Sequence, residues 1–331
     1  MEDSETDGLT KRLLKRLRRR PELGAIVAFA VLFLIFSVLS GRFATLNNLS
    51  GILTLTAELG IMTIGISFLM IAGEFDLSVS SVYAMGGFLF VILSNALNFP
   101  FGGVIAFAIA IIFGALIGFI NGVITLRAGI PSFITTLGML MFLRGVLVGI
   151  TGGSSVIIQD EGIMSSILTD YFFLKFRPSH LWFLGIIVIF TIILTQTSYG
   201  NHVFATGGSE KVARTMGVSV NWVKIKNFMV SGMLAALAGT IAISRFSLAN
   251  AAFGQQMELE AIASAVIGGT LMTGGYGTII GAAFGASIMG MVRSGLVLVG
   301  APSYWYQAFV GAILIIAATI NLKLSGLKQS S

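Results

Sequence analysis

The stretch Ile105-Ala106-Phe107-Ala108-Ile109-Ala110-Ile111-Ile112-Phe113 decides the fold. It contains no polar residue, so it lacks the alternation of apolar and polar side chains that a strand of a membrane β-barrel requires. An unpaired backbone amide in hydrocarbon costs several kcal/mol, so a membrane-embedded stretch of this kind has to be helical. The apolar residues continue on both sides, over 102–125, which is longer than the about 20 residues that a spanning helix needs.

The composition excludes a water-soluble globular protein. Of the 331 residues, 56% are hydrophobic and 10% are charged, whereas soluble domains carry about a quarter charged residues. The sequence has no cysteine and only two histidines, which excludes a thiolate or histidine-rich metal site. It also lacks a P-loop, a zinc-protease motif and a serine-hydrolase motif. We therefore expect neither an enzyme nor a bound metal or cofactor.

About ten apolar stretches follow one another along the chain, which predicts an all-α integral membrane protein with about ten transmembrane helices. These stretches form a single polytopic domain, 23–325, between a basic N-terminal segment, 1–22, and a tail, 326–331. Their approximate bounds are 23–40, 50–72, 78–97, 102–125, 131–151, 181–197, 226–246, 259–273, 276–299 and 304–322.

Lysine and arginine residues set the expected orientation. Many of them lie in the run 11–20 and in the segment 198–225, which fall on one side of the membrane if the chain has ten spans. Because cytoplasmic segments are enriched in these residues, both termini are expected in the cytoplasm. The run 11–20 either serves only as this topology signal or also binds acidic lipid or a protein partner.

Ten spans divide into two halves of five, and an odd number of spans makes the halves inverted. Short matches respect this division: Glu74-Phe75-Asp76 and Glu258-Leu259-Glu260 open the third and eighth spans, and Phe-Gly-Ala recurs at 113–115 and 284–286. Inverted halves around a central substrate path are typical of transporters. The acids Asp76, Glu258 and Glu260 lie where helices begin, so they are either helix caps or contacts of a ligand or gate.

Glu58 lies in the middle of the second span, where an ionisable group needs a charged partner or a wet cavity. Arg144 and Arg293 are its expected partners, whereas Arg245 is expected to extend towards the membrane surface. A substrate-path role for Glu58 is the alternative to an ion pair. The residues predicted to line such a path are Thr54, Thr56, Glu58 and Arg144.

Glycines recur at every fourth position in three spans, which predicts close helix packing. These ridges are Gly114/Gly118/Gly122, Gly145/Gly149/Gly153 and Gly277/Gly281/Gly285. The sequence Gly274-Gly275-Tyr276-Gly277 predicts a tight turn.

The segment 198–225 is the largest cytoplasmic loop in this arrangement. It contains a predicted turn at Gly207-Gly208, an N-cap at Ser209, a short helix over 210–216 and a C-cap at Gly217. Such a helix either inserts into a groove on a partner protein or is only a connector.

Four motifs resemble the permease subunit of bacterial ribose-type (monosaccharide) ABC importers, over roughly 45–322. They are Asp76-Leu77-Ser78-Val79 with Ser81-Val82; Ile134-Thr135-Thr136-Leu137-Gly138 with Arg144-Gly145; Ala205-Thr206-Gly207-Gly208 with Ala213-Arg214 and Gly217; and Glu258-Leu259-Glu260-Ala261-Ile262-Ala263 with Ile267-Gly268-Gly269-Thr270 and Gly274-Gly275-x-Gly277. The chain departs from the family pattern at Glu74 and Arg293, which stand where glycine and asparagine are usual.

The resemblance implies a permease dimer of the bacterial inner membrane that imports a monosaccharide such as ribose by alternating access. It implies cytoplasmic ATPase partners, which would hold ATP and magnesium, a periplasmic sugar-binding protein, and no nucleic-acid partner. It also implies a coupling helix that docks on the ATPase, with Gly207, Gly208, Ser209, Glu210, Ala213, Arg214 and Gly217. An ion-coupled symporter and a receptor-like membrane protein are the alternatives. The symporter would depend on an intramembrane carboxylate such as Glu58.

Overall fold

A computed structural model gives the structure of the protein and describes residues 21–97, 99, 101–159, 162–172, 175–302 and 304–329. The basic run 11–20 and the last residues of the predicted tail, 330–331, lie outside the described residues.

Eight helices within the described residues are long and apolar enough to cross a membrane, which confirms an integral membrane protein. They are α1 (Pro21–Leu39), α2 (Leu46–Ile71), α3 (Val79–Ala96), α4 (Gly102–Ala128), α5 (Ser132–Thr151), α7 (Pro178–Gln196), α10 (Val220–Phe246) and α12 (Ile279–Leu298). The other helices are α6 (Gly162–Thr169), α8 (Ser198–Gly208), α9 (Glu210–Thr215), α11 (Met257–Ile267) and α13 (Tyr304–Gln329). Two short strands, β1 (Val156–Ile157) and β2 (Leu248–Ala249), pair antiparallel.

Helices α2 and α10 form the centre of the bundle. Most of each helix is buried, and α10 packs against α2, α3 and α4. Helices α4, α5 and α7 lie at the periphery and expose large apolar side chains, among them Ile112, Phe142 and Leu184. Exposed apolar surface of this kind is what lipid tails cover in a membrane. The two central helices carry many of the buried polar groups, including Glu58 on α2 and Lys224 on α10.

Two of the three predicted glycine ridges pack as expected. A methyl group on Gly118 would lie 2.1 Å from the carbonyl oxygen of Phe228 on α10. On α12, a methyl group on Gly285 would lie 1.9 Å from the carbonyl oxygen of Ser264 on α11. Only glycine permits these backbone approaches, because a carbon atom cannot come this close to an oxygen.

The ridge on α5 does not pack against the rest of the chain. Among the described residues, nothing lies within 4 Å of a methyl group placed on Gly145, Gly149 or Gly153. Within the described residues, this ridge therefore does not show the predicted close helix packing. The spacing of small residues indicates a surface that a helix can approach, but it does not indicate which helix does so.

The predicted span 259–273 is wrong in its length. Helix α11 has 11 residues and ends before Gly269, whose φ of 90° lies in the left-handed region. The irregular backbone that follows is paired, since Thr270 N donates to Ala265 O at 3.0 Å and Gly275 N donates to Ile71 O at 2.8 Å. Irregular backbone at membrane depth is tolerated where protein surrounds it. Apolar composition alone does not distinguish such a half-helix from a full span.

The last predicted span, 304–322, lies within α13. The apolar portion of α13 among the described side chains is shorter, Tyr304–Ile316. The predicted turn at 274–277 is confirmed, because Gly274 and Gly275 both have positive φ.

The predicted loop 198–225 is largely helical, since α8, α9 and the first residues of α10 lie within it. Gly207 and Gly208 are the last residues of α8 rather than a separate turn. A methyl group on Gly207 would lie 1.8 Å from Ile71 O, so the end of α8 lies directly against the end of α2. We call this side of the bundle the α9 end, and the opposite side, where β1 and β2 pair, the strand end.

Candidate functional site

The helix α9 has the local structure predicted from its sequence. The Ser209 hydroxyl accepts a hydrogen bond from Val212 N at 3.4 Å and so caps the helix. At the other end, Gly217 has a φ of 82°, and Gly217 N donates to Arg214 O at 3.1 Å. Of the residues predicted for this segment, Ala213 is buried, whereas Glu210 and Arg214 are about half exposed. The helix therefore presents charged side chains at the surface of the α9 end.

A buried lysine joins α9 to the helix bundle. Lys224, in the first turns of α10, has a side chain that is 6% exposed. Its Nζ donates to Glu74 Oε1 at 2.6 Å and also to Glu210 Oε1. We call Glu74, Lys224 and Glu210 the charge triad. Arg214 lies 3.7 Å from the second carboxylate oxygen of Glu210, so this acid has two cationic partners.

A second polar contact near the triad joins α8 to α10 and α2. The Tyr199 hydroxyl donates to Asn227 Oδ1 at 2.6 Å, and Asn227 Nδ2 donates to Phe68 O at 3.2 Å. Burial raises the pKa of Tyr199 above its usual value near 10, so the phenol stays a neutral donor at physiological pH.

Asp76 organises the loop between α2 and α3. It is fully buried, and its Oδ1 accepts hydrogen bonds from Ser78 N at 2.9 Å and Ser78 Oγ at 2.6 Å. Its Oδ2 accepts from Ser231 Oγ of α10 at 3.1 Å. Burial raises the pKa of Asp76, although these three hydrogen bonds act in the opposite direction. Asp76 thus lies upstream of the N-cap residue Ser78 and ties the loop to α10.

Helix α5 holds the same loop from its other side. Leu77 N donates to Thr136 Oγ1 at 3.0 Å, and Phe75 N donates to Ser132 Oγ at 3.2 Å. These bonds give a structural role to a threonine of the motif Ile134-Thr135-Thr136-Leu137-Gly138. The loop between α2 and α3 is therefore bonded to α5, to α10 and, through Glu74, to Lys224.

Glu58 forms an ion pair with Arg245, which corrects the predicted partners Arg144 and Arg293. Arg245 Nε lies 2.6 Å from Glu58 Oε1, and Arg245 Nη2 lies 3.0 Å from Oε2. The side chains are 6% exposed for Glu58 and 19% exposed for Arg245, so Arg245 does not extend to the membrane surface as predicted. Antiparallel packing of α2 and α10 places the last turn of α10 beside the middle of α2.

Arg144 binds backbone carbonyls instead of a carboxylate. Its guanidinium donates to Ala251 O, to Phe253 O at 2.9 Å and to Ser80 O at 3.2 Å. These acceptors lie between β2 and α11 and at the start of α3. In this structure the side chain fixes a connecting segment.

The two threonines predicted on the same path face different helices. Thr54 Oγ1 lies 3.0 Å from His180 Nε2 of α7, whereas a methyl group on Gly290 of α12 would lie 2.6 Å from Thr56 Oγ1. The structure therefore does not bring Thr54 and Thr56 together with Glu58 and Arg144 into one lining.

A second group of charges surrounds the beginning of α11. Glu260 Oε1 lies 3.3 Å from Arg293 Nη2, and Glu260 Oε2 accepts from the Tyr306 hydroxyl at 2.9 Å. The guanidinium of Arg293 also lies 4.7 Å from the centre of the Tyr306 ring, and its side chain is 42% exposed. Glu260 thus joins α11 to α12 and α13 and does not cap α11. Glu258 Oε2 is buried without a hydrogen-bond partner among the described residues.

The sequence reasoning missed the roles of Lys224 and Arg245. Lys224, Asn227 and Ser231 stand at i, i+3 and i+7, so they share one face of α10. That polar face was a usable signal that Lys224 points into the protein. No comparable local signal marks Arg245. Among the described residues, no group of three or more His, Cys, Asp and Glu side chains is arranged to hold a metal ion.

A bundle of apolar spanning helices that is interrupted by the short helix α11 and carries a charged helix at one end is typical of a multi-pass transport protein. The family described as the permease component of the branched-chain amino acid transport system matches residues 48–318. The chain belongs to this family.

Curated relatives match almost the whole chain. The ribose import permease protein RbsC of Escherichia coli (strain K12) is 36% identical over 304 residues, covering 90% of this chain and 92% of the relative. RbsC of Haemophilus influenzae is 32% identical over 312 residues, covering 93% and 95%. The autoinducer 2 import system permease protein LsrC of Photorhabdus luminescens is 31% identical over 304 residues, covering 92% and 90%. No solved structure matches this chain. Family membership and the apolar helices make this chain a multi-pass protein of the inner membrane.

Proposed function

We propose that this chain is the membrane permease subunit of an ABC importer for a monosaccharide such as ribose. The similarity to two ribose import permeases over at least nine-tenths of the chain supports this substrate class. The alternative of an ion-coupled symporter has lost its basis, because the family is one of transport-system permease components. Glu58, the carboxylate on which it depended, is paired with Arg245.

The observation that carries the proposal is the attachment of the exposed helix α9 to the bundle by a buried cation. We assign α9 and its flanks, 207–217, as the coupling segment that docks on a cytoplasmic ATPase. ATP and magnesium would bind to the ATPase and not to this chain. ATP hydrolysis would therefore need no catalytic residue from this chain. The α9 end is then cytoplasmic, and the strand end faces a periplasmic sugar-binding protein.

We further propose that the chain consists of two inverted halves with both termini in the cytoplasm, α11 and α13 standing for the eighth and tenth of the predicted spans. The packing supports this division. Helix α4 packs against α10, and α12 packs against α2, so the fourth element of each half contacts the second element of the other. Likewise α3 packs against α10, and α11 packs against α2.

A second permease copy is the proposed partner of the glycine ridge on α5. Gly145 and Gly149 have open space around them and lie beside exposed apolar side chains such as Met141 and Phe142. Small residues on a lipid-facing helix allow a second helix to approach closely. The proposal covers an identical or a related second chain.

Of the predicted substrate-path residues, we retain Glu58 as a candidate contact of the sugar, and we add its partner Arg245. Both lie between the central helices α2 and α10. Glu260 and Arg293 lie on α11 and α12. A sugar offers hydroxyl groups that such paired charges can bind, and opening a pair during alternating access exposes its donors and acceptors to the solute.

Affinity purification from the native membrane, followed by reconstitution into lipid vesicles, tests the proposal. An ATPase should co-purify, and vesicles that also hold the binding protein should take up radiolabelled D-ribose only when ATP is supplied. The Arg214→Met variant should lose bound ATPase, whereas Arg42→Met, an exposed arginine at the strand end, should keep it. Uptake driven by a sodium or proton gradient without ATP would contradict the proposal.

A further inference from the structure

The charge triad is unusual because one buried cation serves two acids from different elements. Glu74 belongs to the loop between α2 and α3, Glu210 opens α9, and Lys224 lies on α10. The side chains of Glu74 and Lys224 are 12% and 6% exposed, whereas that of Glu210 is 46% exposed. The inner pair is therefore fixed in the bundle, and the outer acid lies at the surface.

The distribution of charge allows the outer acid to leave without breaking the inner pair. A buried cation that loses its last carboxylate strongly destabilises the folded protein, because no ion pair then offsets the free energy of removing the cation from water. Lys224 has two carboxylates, so it stays paired with Glu74 when Glu210 moves away. Glu210 in turn keeps Arg214, which lies four residues further along the same helix. Neither state contains an isolated buried charge, which is the electrostatic requirement for two alternative arrangements.

The triad also lies at one end of a continuous path through the protein. On the Glu74 side, the loop is bonded to α5 through Thr136 and to α10 through Asp76. On the Lys224 side, α10 continues for 21 residues, about 30 Å, to Arg245 and its partner Glu58. A packed helix bonded at both ends transmits a displacement as a rigid body.

We propose that Lys224 is the positioning residue that couples the position of α9 to α10 and to the loop that precedes α3. With Glu210 bound, Lys224 links α9 to the bundle. When the partner displaces α9, Lys224 pairs with Glu74 alone, and the link is released. The inference rests on the proposed function, since it requires an ATPase that moves α9.

The experiment compares coupling with assembly. The full chain is reconstituted with its ATPase and binding protein, and three quantities are measured: ATPase bound, ATP hydrolysed, and radiolabelled D-ribose taken up. For Lys224→Met we expect ATPase binding and hydrolysis to persist, while ribose taken up per ATP falls roughly tenfold, within the range by which residues of a coupling network act. Lys224→Arg, which keeps the charge, should restore part of the uptake.

Two further variants separate coupling from folding. Glu74→Gln combined with Lys224→Met removes the unpaired acid, so it should unfold at the wild-type temperature and still lose ribose per ATP. The matched control is Lys226→Met, because Lys226 is an exposed lysine on the same turn of α10. A wild-type ratio of ribose to ATP in Lys224→Met and in the double variant would overturn the proposal. If ribose uptake falls only in proportion to the amount of bound ATPase, the role of Lys224 is structural, and this result would also overturn the proposal. If the wild-type chain neither binds an ATPase nor takes up ribose, the proposed function itself fails.

Discussion

The two ends of α10 carry basic side chains whose partners differ in number and in exposure. At the α9 end, Lys224 is shared between the nearly buried Glu74 and the half-exposed Glu210. Towards the strand end, Arg245 binds one carboxylate among the described residues, that of Glu58, through two contacts, and both side chains are mostly buried. The shared lysine can exchange one partner for another, whereas the arginine pair can only remain closed or open. The difference teaches that the same helix is held flexibly at one end and rigidly at the other.

The largest effect is expected from breaking the rigid end. Arg245→Met leaves Glu58 buried without a partner, and removal of one member of a buried ion pair costs about 3–5 kcal/mol. The measurement is unfolding in detergent, followed by tryptophan fluorescence. Arg127→Met, at an exposed arginine on α4, is the control and should unfold like the wild type. The comparison of the two ends would fail if Arg245→Met were as stable as this control.

The next effect concerns the middle of α10, where α4 approaches it. Gly118→Ala places a methyl group 2.1 Å from Phe228 O, so the helices must separate, which costs about 1–3 kcal/mol for an overpacked site. Gly145→Ala is the matched control, because its methyl group meets nothing among the described residues. Its unfolding in a detergent that keeps single chains apart should match the wild type. Equal destabilisation by both substitutions would mean that helix propensity rather than packing decides the effect.

These contrasts also show how far the sequence predicts the molecule. Local patterns were sufficient for α9, because Ser209 and Gly217 act within a few residues of their own positions. The glycine spacing on α4 predicted a close approach correctly, but the same spacing on α5 did not reveal that this ridge packs against nothing among the described residues. The length of the eighth span was overestimated because the hydropathy of the sequence does not indicate that the helix ends before Gly269.

The charge pairs were harder to predict because they depend on tertiary packing. Glu58 and Arg245 are 187 residues apart, and their meeting follows from the antiparallel contact of α2 with α10. Lys224 was counted as a loop residue because the apolar pattern of α10 begins only after it. The polar face formed by Lys224, Asn227 and Ser231 gave the better indication.

A smaller effect should come from loosening α9 without changing its charges. Ser209→Ala removes the hydroxyl that accepts from Val212 N, and loss of such a cap costs about 1 kcal/mol of helix stability. Global unfolding should be unchanged, while amide hydrogen exchange should become faster within 210–215. Ser209→Asp keeps a capping acceptor and should restore the slow exchange. Slow exchange in Ser209→Ala would mean that the triad alone keeps α9 folded.

The smallest effect of a single substitution is expected at Glu210, the more exposed of the two acids of the triad. Glu210→Gln removes a half-exposed partner, and such surface pairs contribute about 0.2–1 kcal/mol. Glu74→Gln removes the buried partner and leaves Lys224 dependent on an acid that solvent also reaches, so it should be the less stable variant in the same detergent unfolding assay. The double variant Glu74→Gln with Glu210→Gln should lose more free energy of unfolding than the two single variants added together, because only in the double variant does Lys224 lose both carboxylates. Strict additivity would show that Lys224 does not need a second partner and would remove the distinction between the flexible and the rigid end of α10.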